Sequence, residues 1–187
     1  MSTEVIIGLV IVGLIIFLIV LYNRLVKFRQ NRKNAFSDID VQLKQRYDLV
    51  PQLVNTVKGY AEHESKVFEE VTKMRARVNS DAPVAERAAA ESALGNAMMN
   101  LFAVAENYPD LKADSSFQNL QNELSDIENK IAAARRFFNN TTNELNTACE
   151  QFPSVLVAKM FGFKQEEFFD VSDGDREKIE AAPEVKF

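Results

Sequence analysis

The 187-residue sequence holds one histidine, one cysteine and six glycines, and each scarcity removes a class of chemistry. With His63 alone, one chain can assemble neither a two-histidine zinc site nor the paired Glu-x-x-His di-iron arrangement of ferritin-like bundles. His63-Glu64 lacks the second histidine of a zincin helix, so His63 reads as a surface or interface residue. A Ser-His-Asp or Cys-His system would have to use that same residue, and no nucleophile-elbow motif accompanies it. Cys149 cannot form a disulfide within the chain and reads as a small core residue. The glycines, at 8, 13, 59, 95, 162 and 174, do not gather into a phosphate-binding loop. The expectation is a protein that is not an enzyme and carries no metal or cofactor. A hydrolase would need a pocket near Arg46 or Arg135 with strongly shifted titrations.

What the chain does have is a long apolar run. Residues Val5 to Leu21 read VIIGLVIVGLIIFLIVL, followed by YNRLVKFRQNRK, with five cations and no acid. With Tyr22, the run rises about 27 Å as a helix, close to the roughly 30 Å hydrocarbon core of a bilayer. A cleaved signal peptide would need a charged segment before the run and a small-residue site after it. Ser2, Thr3 and Glu4 precede it and Tyr22-Asn23-Arg24 follow, so an uncleaved single-span anchor is expected. Arg24, Lys27, Arg29, Arg32 and Lys33 place the C-terminal body on the cytoplasmic side of the cell membrane, the alternative being outside or periplasmic. Removing those five cations and Glu4 from 22 basic and 27 acidic residues leaves 17 against 26 over residues 34–187. Such a body repels nucleic acid and anionic headgroups, so no nucleic-acid partner is expected, and the body should be held off the bilayer.

Beyond the collar the periodicity is helical. From Phe117, apolar or small residues recur at Leu120, Leu124, Ile127, Ile131, Ala134, Phe138, Thr141, Leu145, Ala148 and Phe152, an alternating three-four spacing like that of a coiled coil. A second stripe, Ile39, Leu43, Val50, Leu53, Val57, Tyr60, Val67, Val71, Met74 and Val78, is interrupted by Arg46 and Glu64 and predicts roughly 60 Å of helix, kinked at Pro51. A third, Leu94, Met98, Leu101, Ala105 and Tyr108, should begin near Pro83. Breaks fall at Asn79 to Pro83 and at Tyr108 to Ser116, and Gly162 should end a short helix over Pro153 to Phe163. The fold class is all-α: a transmembrane helix, then an elongated antiparallel bundle of three long helices plus a short C-terminal one. The organisation predicted is an anchor (1–22), a basic juxtamembrane helix (23–36), a bundle domain (37–163) and an acidic, poorly ordered tail (164–187).

Tyr22-Asn23, the block Asp38-Ile39-Asp40-Val41-Gln42-Leu43-Lys44-Gln45-Arg46-Tyr47-Asp48-Leu49-Val50-Pro51-Gln52-Leu53, then Tyr108-Pro109-Asp110-Leu111-Lys112, Ala134-Arg135-Arg136-Phe137-Phe138-Asn139 and Phe152-Pro153 resemble, in order, the motif series of the LemA family. The resemblance covers nearly the whole chain and implies a bacterial single-span membrane protein with an elongated helical bundle. It implies no defined molecular activity. The chain departs from it at Phe137 and Phe138, where the family commonly has tyrosines, so a role that needs a phenol there is not carried over.

Two features remain as candidate sites. Arg46 interrupts an apolar seam, and a buried arginine costs several kcal/mol unless paired. Asp40, Asp48, Glu123 and Glu128 are its candidate partners, and Arg135-Arg136 is expected beside acidic residues of the first bundle helix. Asp40, Arg46, Asp48, Arg135 and Arg136 therefore form either a network that sets helix register or a docking surface. At the C-terminus, Val185 and Phe187 could add as a strand to a sheet edge, against the plainer reading of a frayed end. The functional expectation is a membrane-anchored scaffold or adaptor for another membrane or membrane-associated protein. The alternative is a homo-oligomer that organises or shapes the membrane, driven by apolar stripes left uncovered.

Overall fold

The computed structural model describes residues 2–61, 63–79 and 82–169. Among them are six helices and no strand: α1 (Thr3–Lys58), α2 (Ser65–Arg77), α3 (Val84–Ala105), α4 (Pro109–Ala113), α5 (Ser115–Glu150) and α6 (Ser154–Met160). The expected all-α bundle is what forms. The described residues divide into two compact units, one built from 2–37 and 136–167, the other from 38–135 with 168–169, so α1 and α5 each contribute a segment to both.

In the first unit, the residues from Val5 to Val20 are exposed apart from the half-buried Leu18. The 18-residue window with the highest hydropathy is only 6% buried, so this stretch is not a core helix of the protein. One turn later the same helix is covered. Leu21 and Leu25 pack with Leu145, Ala148 and Cys149 of α5 and with Val157 and Ala158 of α6. Burial and the nearby Glu166 and Glu150 raise the Cys149 thiol above its ordinary range, as suits an inert packing residue. Phe36 meets Phe138 at 5.4 Å and Arg32 Nε donates to Thr142 Oγ1 at 3.1 Å, so residue numbers fall along α1 as they rise along α5, and the two helices are antiparallel. Gly162, at φ +72°, ends α6, and the Phe163 amide donates back to the Ala158 carbonyl at 2.9 Å, closing a Schellman turn.

The acidic segment after Phe163 was expected to be poorly ordered from Lys164 onward, but its first residues are held. Arg32 Nη2 donates to the Glu167 carbonyl at 2.9 Å and Nη1 pairs with Glu166 Oε2 at 3.2 Å. Asn146 and the Glu166 backbone exchange two hydrogen bonds, at 2.9 and 2.8 Å. Burial pulls Arg32 below the ordinary guanidinium value, with Glu166 and Glu167 opposing that shift. Val185 and Phe187 lie outside the described residues.

In the second unit the stripe from Ile39 to Val78 is not one long helix. A straight helix would hold residues 47 and 75 about 42 Å apart. Instead Arg75 Nε donates to the Tyr47 carbonyl at 3.2 Å, with its guanidinium 3.7 Å from the Tyr47 ring centre. The chain therefore reverses between α1 and α2. Gly59 follows the last residue of α1, the Tyr60 and Ala61 amides both close on the Val57 carbonyl, and Ala61 is buried in the core. Two phenols pin the reversal: Tyr60 donates to Asp114 Oδ2 at 3.0 Å and Tyr108 to Glu64 Oε1 at 3.2 Å. The apolar phase survives the break because both arms face one core, where Val50, Leu53 and Val57 meet Phe68, Val71 and Met74 and, from α3, Leu94, Met98 and Leu101.

The same contact explains how Pro51 is tolerated. Proline has no amide hydrogen, so the Tyr47 carbonyl, four residues earlier, loses its helical donor. Arg75 supplies a replacement from α2, and α1 continues through Pro51 to Lys58. Arg75→Ala should therefore destabilise the protein by about 1 to 2 kcal/mol in denaturant unfolding. In a Pro51→Ala background, where the helix can supply its own donor, the loss should be clearly smaller. Equal losses in both backgrounds would show that Arg75 does not substitute for the missing amide.

Asp114 begins α5. Its Oδ1 accepts from the Phe117 amide at 2.9 Å, the third-residue contact of an N-cap. That bond, then the Tyr60 hydroxyl, holds the carboxyl below its ordinary 3.8 despite partial desolvation. A carboxyl with a depressed folded pKa stabilises the fold above its unfolded value, and that stability is lost as pH falls through the folded one. Asp114→Asn should flatten this acid limb of a stability-against-pH curve while leaving neutral-pH helix content intact. An unchanged limb would remove Asp114 as its source.

Candidate functional site

Ile39, Leu43, Arg46, Val50 and Leu53 follow one three-four stripe, and in the folded chain all five are buried. Arg46 thus occupies a seam position where an apolar residue would normally sit, and it is 1% exposed. Its guanidinium is met from two helices. Nη2 pairs with Glu91 Oε2 of α3 and donates to the Glu91 carbonyl at 3.2 Å, while Nη1 pairs with Glu128 Oε1 of α5 at 2.6 Å. Glu91 is itself 2% exposed, whereas Glu128 reaches solvent. One arginine of α1 therefore joins three helices of this unit.

A second pair lies beside it, with reversed polarity. Arg87 of α3, almost wholly buried, meets Asp40 of α1 at 2.5 Å. Asp40 pairs with Arg87 and Arg46 with Glu91, so α1 and α3 run in the same direction here, with α2 antiparallel between them in the chain. Sliding α3 by one turn would bring Arg87 toward Arg46, a like-charge contact in a dry setting, so the two pairs together select the register.

Arg135 completes the group. Burial, with the Arg46 charge close by, pulls it below the ordinary guanidinium value, and Glu128 and Glu91 push the other way. Its guanidinium lies 4.9 Å from the Phe169 ring centre, and its Nε is a buried donor without an acceptor. Arg46 and Arg135 line a cleft of about 530 Å³ whose other walls include Met98, Met99 and Phe102.

The expected residues separate into two sets. Arg46, Asp40 and Arg135 belong to the buried polar network. Asp48 pairs with Lys44 one turn away on the surface of α1, at 3.2 Å, and Arg136 is exposed. Of the partners proposed for Arg46, only Glu128 contacts it. Sequence reasoning missed Glu91 and Arg87, although a signal existed. Extending the α3 stripe backward from Leu94 in its own three-four phase lands on 91 and then 87, so both charges occupy core-facing positions. Phe138 is fully buried, with Arg32 4.7 Å from its ring centre, and Phe137 is exposed.

As chemistry, the cluster is self-neutralising: the cations Arg46, Arg87 and Arg135 face the three carboxylates Asp40, Glu91 and Glu128. Among the described residues no three of His, Cys, Asp and Glu gather as metal ligands. The geometry is that of an interhelical clamp.

The LemA family model matches residues 35–187, and the chain belongs to that family. It is 24% identical over 185 residues to the magnetosome protein MamQ of Magnetospirillum gryphiswaldense, covering 85% of this chain and 68% of that protein. It is 23% identical over the same length to magnetosome protein MamQ 2 of Paramagnetospirillum magneticum, with the same coverage. Protein LemA of Metamycoplasma hominis is 24% identical over 165 residues, covering 86% of this chain and 74% of the relative. None of these names describes a catalysed reaction. With its exposed apolar helix, the chain is a membrane-associated LemA family protein.

Arg46→Ala strands a buried Glu91 carboxylate and should destabilise the protein by about 3 to 5 kcal/mol. Joint replacement, Arg46→Met with Glu91→Met, should recover most of that loss, because the desolvation of both charges disappears with them. Chemical unfolding of the detergent-solubilised chain reads both. An Arg46→Ala variant as stable as the parent would remove the clamp.

Proposed function

We propose that this protein is a non-catalytic, membrane-anchored scaffold or adaptor, its bundle on the cytoplasmic side and presented to another membrane or membrane-associated protein. The observation that carries this reading is the internal use of the polar cluster. Arg46, Glu91, Arg87 and Asp40 are occupied in joining helices to one another, which suits a rigid presenting body more than a reacting site. The body's acidic excess favours a partner with a basic surface. The five collar cations favour the cytoplasmic side. Asp48 and Arg136, which the clamp leaves at the surface, are positions where a partner could be read, and Val185 and Phe187 supply a possible strand-type ligand.

A second reading is self-assembly that organises the membrane. Val41 and Met99 favour it, as exposed apolar residues on bundle helices, and so does the likeness to proteins named for the magnetosome. Crosslinking of the embedded protein in its native cells, followed by mass spectrometry, separates the two. The adaptor reading expects links to a different, cytoplasm-facing protein from residues around Asp38 to Asp48 or from the tail. Links between copies alone would replace the adaptor by the assembly.

A further inference from the structure

The first unit carries an apolar surface that neither the span nor the clamp explains. Phe152, Leu156, Met160 and Phe161 are 75%, 58%, 69% and 57% exposed. Leu156 and Met160, four apart, share one side of α6, while Phe152 stands just before the helix and Phe161 just after it. The opposite side is used: Val157 and Ala158 are each 1% exposed and pack on Leu21, Leu25, Leu145 and Ala148. α6 is therefore clamped by one face, at a defined place on α1, with its other face uncovered and oily.

That place is the end of the membrane span. The Phe161 ring lies 4.7 Å from the Tyr22 ring, and Met160 and Phe161 line a wholly apolar recess with Leu18 and Ile19, two residues of the apolar run itself. The exposed side of α6 is thus continuous with the surface that the bilayer must cover around Val5 to Leu21. The cations fit the same boundary. Lys159 on α6 and Arg24, Lys27 and Arg29 on α1 are exposed, where long basic side chains reach phosphate groups while their stems stay on apolar surface. This departs from the expectation that the body stands off the membrane, because the net acidity of residues 34–187 does not describe this short stretch.

We propose that α6 with its flanking phenylalanines is a second membrane contact, an amphipathic segment embedded in the interfacial layer of the same leaflet in which α1 ends. The occupant of the exposed face is lipid, and the argument is its continuity with the span. The segment then braces the helix where it leaves the bilayer, since α6 is fixed to α1 through Val157 and Ala158.

The test uses the full chain reconstituted in phosphatidylethanolamine and phosphatidylglycerol vesicles. In a Cys149→Ala background, Leu156→Cys, Met160→Cys and, as a water-facing control, Phe137→Cys are each labelled with a polarity-sensitive fluorophore. Lipids brominated near the headgroup should quench labels at 156 and 160 several-fold more than at 137, and aqueous iodide should show the reverse order. Iodide access at 156 and 160 equal to that at 137 would overturn the proposal. So would labels shielded from both quenchers, which would mean that a protein, a second copy included, covers the face. The unaltered chain supplies an independent reading: photoactivatable lipids should leave adducts on residues 152–161 as well as on the span. Adducts confined to the span would overturn the proposal even if a labelled variant folded poorly.

Discussion

A guanidinium placed in an apolar seam is tolerable only where carboxylates reach it, and Arg46 imposes that condition on the second unit. Its charge cannot be left unpaired without a penalty of several kcal/mol, so α3 must bring Glu91 and α5 must bring Glu128 to the same point. Apolar stripes alone discriminate only weakly against a slide of one turn, because leucine and methionine exchange at small packing cost. The Arg46 and Arg87 pairs, opposite in sense and four residues apart on α3, are not interchangeable. The hydrophobic pattern supplies adhesion between these helices, and the ion pairs supply their alignment.

The division of labour between arginine and lysine follows the same physics. Arg32, Arg46, Arg75 and Arg87 act within the fold, each presenting a planar fork to carboxylates, carbonyls or rings. Lys44, Lys112 and Lys130 make their ion pairs on side chains more than half exposed. A guanidinium is less strongly hydrated than an ammonium and satisfies several acceptors at once, so it loses less on leaving water. The Pro51 site shows the benefit, since one arginine both replaces a missing amide donor and stacks on the ring of the residue whose carbonyl it satisfies.

Periodicity made the helical class, the exposed apolar span, the start of α3 beside Pro83 and the Gly162 stop legible in advance, because each rests on local rules of spacing and capping. The reversal at Gly59 was not legible, and the reason is specific. Two helices that fold back on one core keep their apolar phase across the turn, so a stripe cannot distinguish a hairpin from a continuous rod. Glu91 was missed for a related reason. A charge within an alanine-rich segment looks solvated until the phase of its own helix is carried through it, and its partner lies 45 residues earlier in the chain.

The segment after Phe163 shows where composition fails as a guide. Counting charges treats acidic residues as mutually repelling and solvated, which holds only while no cation is positioned for them. Here Arg32 meets Glu166 and the Glu167 carbonyl, and Asn146 takes both backbone groups of Glu166. Arg32 counts in the sequence as one of five collar charges, yet only 14% of its side chain remains exposed, so it is a structural tie more than a headgroup ligand. The charges left facing outward are Arg24, Lys27, Arg29 and Lys33. A collar read from sequence therefore overstates what is free to meet lipid, and the described acidic residues overstate what is free to repel it. The electrostatics at the end of the span are set by which pairs have formed, and the formal sum over the chain is a poor substitute for that arrangement.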